Sequence, residues 1–99
     1  MMMSDDDNMK KVRERILNSI FNRDCIQLKI FFSDNARPFY YKGCVLKYDK
    51  LGDFIWFKDW QTSIPKKFLI FEITNVDIIN HTAFSTTEIN NWIERIPKN

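Results

Sequence analysis

The chain carries few side chains whose type and spacing could perform chemistry. His81 is the only histidine among its 99 residues, and no serine, cysteine or carboxylate stands near it in a pattern that resembles a catalytic set. The two cysteines, Cys25 and Cys44, lack the paired spacing of zinc sites. No phosphate-binding loop, nucleophile elbow or paired-metal motif is present either. We therefore predict a protein with no enzymatic activity, no metal and no cofactor.

Cys25 and Cys44 both lie in apolar, strand-like segments. Buried thiols in a reducing compartment are the simpler interpretation, which favours a cytoplasmic protein, or a nuclear one in a eukaryote. A disulfide between consecutive strands of a hairpin is the alternative. Residues 1–7 are polar and acidic rather than a secretory signal. The sequence has no run of about 18 apolar residues, so we expect no membrane span.

Aromatic side chains are unusually frequent, at 15% of the chain. Adjacent residues of a strand face opposite sides, so consecutive aromatic residues cannot all point into one core. We expect some of them to be exposed or covered by a partner, and open strand edges would favour self-association. The residues concerned are Phe31, Phe32, Phe39, Tyr40, Tyr41, Trp56, Phe57 and Trp60.

Basic residues exceed acidic ones only by 15 to 13, which gives a formal charge of +2. A protein that relies on non-specific phosphate contacts usually has a stronger basic excess, so nucleic-acid binding here requires a local patch. One candidate patch lies on the predicted first helix, and a solvated helix face is its other interpretation. It consists of Lys10, Lys11, Arg13 and Arg15.

Hydrophobic periodicity predicts the elements that position these residues. A disordered tail of residues 1–8 precedes an amphipathic helix over residues 9–22. A period of two then predicts about five short strands, at residues 26–30, 39–48, 54–60, 67–71 and 73–79. Gly43 marks a bulge or bend in the second strand. Residues 85–88 (STTE) form a capping box, which predicts a second helix that ends before Pro97.

Short strands with brief turns and no helices between them favour an antiparallel sheet closed on itself. The predicted fold is mainly β with flanking helices: a small, strongly bent five-stranded antiparallel barrel. Residues 9–80 form the barrel with its N-terminal helix, and residues 81–99 form a C-terminal extension that contains the added helix. A single core is expected, because the chain is too short for a second one.

Residues 42–49 (KGCVLKYD), together with the helix and first strand before them, resemble the first motif of the Sm-like family, which includes the LSm and Hfq types. In that family a glycine on the bent second strand precedes an aromatic–aspartate pair, a short loop and an apolar third strand. The matching positions are Gly43, Tyr48, Asp49, Asp53 and Phe54. The resemblance covers about residues 10–79, most of the chain.

The sequence departs from the family pattern at two places. Family members that bind uridine-rich RNA commonly have asparagine where this chain has Asp53, and a carboxylate beside a phosphate is unfavourable. Residues 69–73 (LIFEI) contain neither the arginine–glycine pair nor the lysine–histidine pair of the family's second motif. An SH3-like barrel or an oligonucleotide-binding fold with the same number of strands is the structural alternative.

The resemblance implies a non-catalytic RNA-binding or RNA-chaperone-type protein that acts as a homo-oligomer, joined through strand edges in a ring, with single-stranded RNA as its partner. The implied RNA-binding residues, to which we add the basic helix face, are Tyr48, Asp49, Asp53, Phe54, Lys10, Lys11, Arg13 and Arg15. Turn chemistry and core packing are the plainer interpretations of Asp49 and of the two aromatic residues. The alternative function is a protein-interaction module, an adaptor or regulator with no nucleic-acid role.

Overall fold

The computed structural model describes residues 5–31, 37–62 and 64–97. Within them the chain forms two α-helices, five β-strands and one 3-10 turn. Their order is α1 (Asp5–Asn22), β1 (Cys25–Ile30), β2 (Phe39–Asp49), β3 (Phe54–Asp59), β4 (Lys66–Leu69), the 3-10 turn (Ile70–Glu72), β5 (Ile73–Asn80) and α2 (Thr86–Ile93). The predicted mainly-β class with flanking helices is confirmed. Neither helix of this part of the chain is long and apolar enough to cross a membrane.

The five strands form one antiparallel sheet in the order β4-β3-β2-β1-β5. β4 pairs with β3 and β5 pairs with β1, so these two strands are the edges of the sheet. The predicted closure into a barrel is wrong for the described residues. The sheet stays open because the 3-10 turn leads the chain from the edge strand β4 to the other edge strand β5, and the two strands do not pair as a hairpin. The N–H of Ile70 donates to the carbonyl of Asp53, and the N–H of Phe31 donates to the carbonyl of Glu72, both at 3.0 Å.

Several element boundaries differ from the predicted ones. α1 begins at Asp5 rather than residue 9, so the last four residues of the predicted 1–8 tail belong to the helix. Acidic residues are favourable in a first helical turn, where the helix dipole is positive. The strand predicted over residues 67–71 ends at Leu69, whose N–H donates to the side chain of Glu72 at 3.1 Å as the chain turns. Phe32 and most of the predicted turn at residues 33–38 lie outside the described residues.

The core lies between α1 and one face of the sheet. Helix positions spaced by three or four residues and alternate strand positions face each other there, as the two periodicities require. Burying these apolar side chains supplies the main driving force for folding. The buried members are Val12, Ile16, Ile26, Leu28, Ile30, Val45, Ile55, Phe57, Phe68, Ile70, Ile73 and Val76.

β2 changes the direction of its side chains half-way along. Val45 pairs with Phe57 and Lys47 pairs with Trp56, so Leu46 is an extra residue in the ladder. A bulge of this kind shifts the alternation by one residue. Val45 and Tyr48 therefore both contact the core, although they are three residues apart. The sequence predicts a bulge or bend at Gly43, and the bulge lies three residues further on.

Gly43 is instead a point where β2 and β3 leave no room for a side chain. It pairs with Ile26 on one side and with Asp59 on the other. A Cβ added at Gly43 would lie 1.8 Å from the carbonyl oxygen of Lys58, which is backbone and cannot move aside. The close approach of two strands, and not an unusual backbone angle, is what requires glycine here.

Cys25 and Cys44 are free thiols, and both are buried. Burial raises the pKa of both side chains, that of Cys44 to about 12. Both stay protonated at neutral pH, which suits small apolar side chains and not nucleophiles. The interpretation as buried thiols is confirmed, and the alternative disulfide is not formed.

α2 begins where the capping box predicts. The N–H of Glu88 donates to the hydroxyl of Ser85 at 3.1 Å, which satisfies one of the free donors of the first turn. The helix ends at Ile93, four residues before Pro97. The predicted second helix is therefore confirmed.

We expect Gly43→Ala to lower the free energy of unfolding by about 3 kcal/mol, because the new methyl group overlaps a backbone carbonyl and the two strands must separate. Urea denaturation followed by circular dichroism measures this. Gly52→Ala is the control: its Cβ would meet the half-buried ring of Phe54, a side chain that can rotate away. If Gly52→Ala lowered the free energy of unfolding as much as Gly43→Ala, this account of the close contact between β2 and β3 would be contradicted.

Candidate functional site

Three of the residues predicted to bind RNA contact one another instead. The guanidinium of Arg13 on α1 donates from Nε to Oδ1 of Asp53 at 3.0 Å and from Nη2 to Oδ2 at 2.6 Å. The hydroxyl of Tyr48 donates to the same Oδ1 at 2.7 Å. Asp53 has a left-handed backbone with φ of 52°, which directs its side chain at the end of the β2–β3 turn. This bidentate ion pair links α1 to the β2–β3 turn.

The charges of this cluster are mutually satisfied. The hydrogen bond from Arg13 is the main cause that lowers the pKa of Asp53, and the same bond raises the pKa of Arg13. Burial, together with donation to the carboxylate, raises the pKa of Tyr48. The ring of Tyr48 also packs against the core. The cluster therefore has a structural role in this conformation and offers no free charge to a phosphate.

Asp49 and Phe54 flank the same turn. Asp49 accepts a hydrogen bond from the N–H of Gly52 at 2.9 Å, which is the turn chemistry expected of an Asp-x-x-Gly sequence. The ammonium of Lys67 lies 4.1 Å from the ring centroid of Phe54, and the ring meets Trp56 edge-on at 6.4 Å. One face of Phe54 is thus covered by a cation.

The four residues of the basic patch on α1 have different surroundings. Arg15 reaches β5, where its Nη1 donates to the side chain of Asn75 at 3.0 Å and to the carbonyl of Val76 at 3.2 Å. Lys10 and Lys11 are exposed on the helix surface. They share a shallow depression with Asp7 and Glu14, so the local charge is mixed. Arg13 and Arg15 are thus engaged by Asp53 and β5, whereas Lys10 and Lys11 lie exposed beside these carboxylates.

A different set of side chains surrounds a cleft of about 340 Å³ at the opposite end of the β2–β3 ladder from Asp53. Tyr40 and Trp60 are its aromatic members, and their side chains are 56% and 55% exposed. The N–H of Trp60 donates to the carbonyl of Lys42 at 2.9 Å, which holds the two strand ends together. The lining residues are Tyr40, Tyr41, Lys42, Asp59, Trp60, Gln61, Thr62 and Lys66.

The floor of this cleft is built around Asp59, which is only 6% exposed. Its Oδ1 accepts from the N–H of Gln61 at 3.1 Å, and its Oδ2 lies 3.6 Å from the ammonium of Lys66. The same ammonium lies 4.9 Å from the ring centroid of Tyr41. The carboxylate is therefore neutralised inside the cleft, while Lys42 stays exposed at the rim.

The sequence contains a signal for these residues but does not identify them as a site. It predicts that consecutive aromatic residues cannot all be buried, and this is confirmed for those that are described. Phe57 is buried, Tyr41 and Trp56 are half-buried, and Phe31, Phe39, Tyr40 and Trp60 are exposed. The sequence does not reveal the pairing register that brings Tyr40 and Trp60 to one end of the sheet.

His81 has a structural environment. Its Nδ1 lies 3.3 Å from Oδ1 of Asp24, a fully buried carboxylate in front of β1. The N–H of Thr82 donates to the same oxygen at 3.0 Å. Asp24 thereby joins the end of β5 to the start of β1. Across residues 5–31, 37–62 and 64–97, no three histidine, cysteine, aspartate or glutamate side chains cluster so that they could hold a metal ion.

No protein-family model matches this sequence, and no curated protein matches it. The assignment of a function therefore rests on the geometry of the described residues.

The ion pair of Asp53 predicts a specific dependence of stability on pH. Because its pKa is lowered in the folded protein, the stabilisation is present above the unfolded value of about 4 and is lost as the pH falls through and below that value. We expect urea midpoints measured between pH 6 and pH 3 to fall less steeply for Asp53→Asn than for the wild type. Asn91→Ala, which changes an exposed residue of α2 that carries no titratable group, is the control with the wild-type slope. Equal slopes for all three proteins would remove Asp53 from this account.

Proposed function

We propose that the protein is a non-catalytic, single-stranded RNA-binding protein of the Sm-like kind that acts as a homo-oligomer. The observation that carries RNA binding is the cleft at the end of β2 and β3, where exposed Tyr40 and Trp60 stand beside Lys42. An N-terminal helix followed by five antiparallel strands is compatible with the family resemblance of residues 42–49.

The chemistry of the cleft suits an unpaired nucleotide. Aromatic side chains stack on bases whatever their sequence, and lysine attracts the phosphate that follows each base. A volume of about 340 Å³ lies at the lower end of the range for small-ligand sites, which suits one nucleotide better than a longer segment. Single strands are favoured over duplex RNA, because bases stacked inside a helix cannot reach an aromatic face.

The residues implied by the resemblance have different places in this proposal. The side chain of Asp53 is occupied by hydrogen bonds from Arg13 and Tyr48. We therefore place base recognition in the cleft and not at the β2–β3 turn, where the resemblance implies it. Lys10 and Lys11 are exposed on α1 and remain candidate phosphate contacts. RNA that leaves the cleft would be held by such contacts through charge alone.

Self-association is proposed through the two edges of the sheet. β5 is eight residues long, and its edge carries two isoleucines, Ile78 and Ile79, that are 45% and 44% exposed. An open edge with apolar side chains is a template for pairing with another strand. β4, the other edge, is the natural partner in a second copy, since a β4–β5 contact repeated head to tail can close a ring.

A protein-interaction module is the second candidate function, and the exposed apolar residues outside the cleft favour it. Phe21 on α1 is 87% exposed and Phe71 in the 3-10 turn is 69% exposed. Apolar side chains of this kind are typical of the centre of protein interfaces. Partner binding that is insensitive to salt would support this function, whereas RNA binding that weakens with salt supports the first.

We expect Trp60→Ala and Tyr40→Ala each to weaken the binding of a fluorescein-labelled ten-nucleotide RNA about tenfold, the effect of losing one stacked base. Fluorescence anisotropy at two salt concentrations measures the dissociation constant. Phe21→Ala, which removes an exposed ring on α1, is the matched control with wild-type affinity. The double variant Tyr48→Ala/Asp49→Ala tests the β2–β3 turn in the same assay. A loss of affinity in that double variant alone would return the site to the turn.

Light scattering after size exclusion tests the oligomer. One chain has a mass of 12.0 kDa, and we expect the wild type to elute as a multiple of it. Ile78→Lys/Ile79→Lys places two charges on the β5 edge, and we expect it to reduce the mass to that of a monomer. Phe21→Lys, which adds a charge on α1 and not on an edge strand, should keep the wild-type mass. A wild type that is monomeric at micromolar concentration would contradict self-association.

A further inference from the structure

We propose that α2 sets the shape of the cleft through the side chain of Lys58, so that Lys58 is a positioning residue and the C-terminal helix is a regulatory element of the RNA site. The ligand of the cleft rests on the proposed function. The link between α2 and the cleft rests on protein contacts alone and can be tested without RNA.

Lys58 stands between the two structures that it would couple. Its ammonium donates to the carbonyl of Asp59 at 2.8 Å and, by a second short hydrogen bond, to the carbonyl of Thr62. The same ammonium lies 5.4 Å from the ring centroid of Trp92 on α2, within the range of a cation–π contact. One charged group thus contacts both the segment after β3 and the helix.

The segment that Lys58 holds, residues 59–62, supplies half of the lining of the cleft. The N–H groups of Gln61 and Thr62 donate to the side chain and the carbonyl of Asp59, at 3.1 Å and 3.4 Å. Lys58 donates to the carbonyls at both ends of this turn and thereby stabilises its conformation. Trp60 lies between the two bound carbonyls and depends on them for its position.

α2 packs against β2 through half-buried and exposed side chains. Its described residues include no buried one. Phe84 meets Trp92 edge-on at 5.2 Å, and Nη1 of Arg23 donates to the hydroxyl of Thr86 at 2.8 Å. Because α2 has no buried residue and contributes none to the core between α1 and the sheet, it can leave the sheet at a smaller free-energy cost than α1 while that core stays intact.

The position of α2 therefore changes the environment of the Lys58 ammonium. With the ring of Trp92 in place, the ammonium is shielded on one side and its donors are directed at Asp59 and Thr62. With α2 displaced, water competes for those donors and the turn loosens. Coupling of this kind is reciprocal, so a ligand that orders Trp60 would also favour the docked position of α2.

Amide hydrogen exchange of the free protein, resolved by residue in NMR spectra, tests this link. We expect Lys58→Met, which keeps the length of the side chain and removes its donors, to speed the exchange of the Gln61 and Thr62 amides about tenfold. Trp92→Ala should speed the same amides, and Trp92→Phe, which restores a ring, should return them towards wild type. Asn91→Ala, on the exposed side of α2, is the control. Unchanged exchange in Lys58→Met or in Trp92→Ala would overturn the proposal.

The RNA anisotropy assay separates this inference from the proposed function. If Trp92→Ala loosens the turn and also weakens RNA binding, while Asn91→Ala does neither, both are supported. If the turn loosens but no variant binds RNA, the positioning role of Lys58 stands and RNA binding fails. If RNA binds to the wild type and to Trp92→Ala with equal affinity, the regulatory role of α2 is overturned even though the site is real.

Discussion

The close approach of β2 and β3 at Gly43 is the constraint from which the rest of the sheet follows. A Cβ at this position would overlap the carbonyl of Lys58, so only glycine fits between the two paired strands here. Gly43 also pairs with Asp59, the residue that forms the floor of the cleft. The same contact therefore fixes both the spacing of β2 from β3 and the starting point of the segment that lines the cleft.

The bulge at Leu46 determines what the other end of the β2–β3 ladder can do. It moves Tyr48 from the outer face to the core side, where its hydroxyl meets the carboxylate of Asp53. Arg13 completes the cluster from α1, so the helix, the bulged strand and the turn are joined by one ion pair. A charge that is paired within the chain is unavailable to a phosphate, since a ligand would have to replace two hydrogen bonds from Arg13.

The elements were accessible from the sequence because each has a local cause. Spacing of apolar residues predicts α1, alternation predicts the strands, and the Ser85 cap predicts α2. The open sheet and the cluster at Asp53 were not accessible, because both depend on pairing register. One extra residue at Leu46 reverses which side chains face the core, and no property of Tyr48 itself reports that reversal. The sequence indicates the cleft only through its excess of aromatic residues. The position of Trp60 beside Lys42 depends on the pairing register of β2 and β3, which the sequence does not show.

The two ends of the β2–β3 ladder thus use similar residues for different purposes. At Asp53 the cation, the carboxylate and the aromatic hydroxyl all satisfy one another. At Asp59 the carboxylate is satisfied by Lys66 and by a backbone N–H, which leaves the faces of Tyr40 and Trp60 without comparable cover. An aromatic surface that stays exposed beside a cation contributes little burial energy to folding, so that energy is available to a ligand that covers the rings. A base that covered the rings would remove this surface from water, which is the physical reason why we propose the site at this end of the sheet.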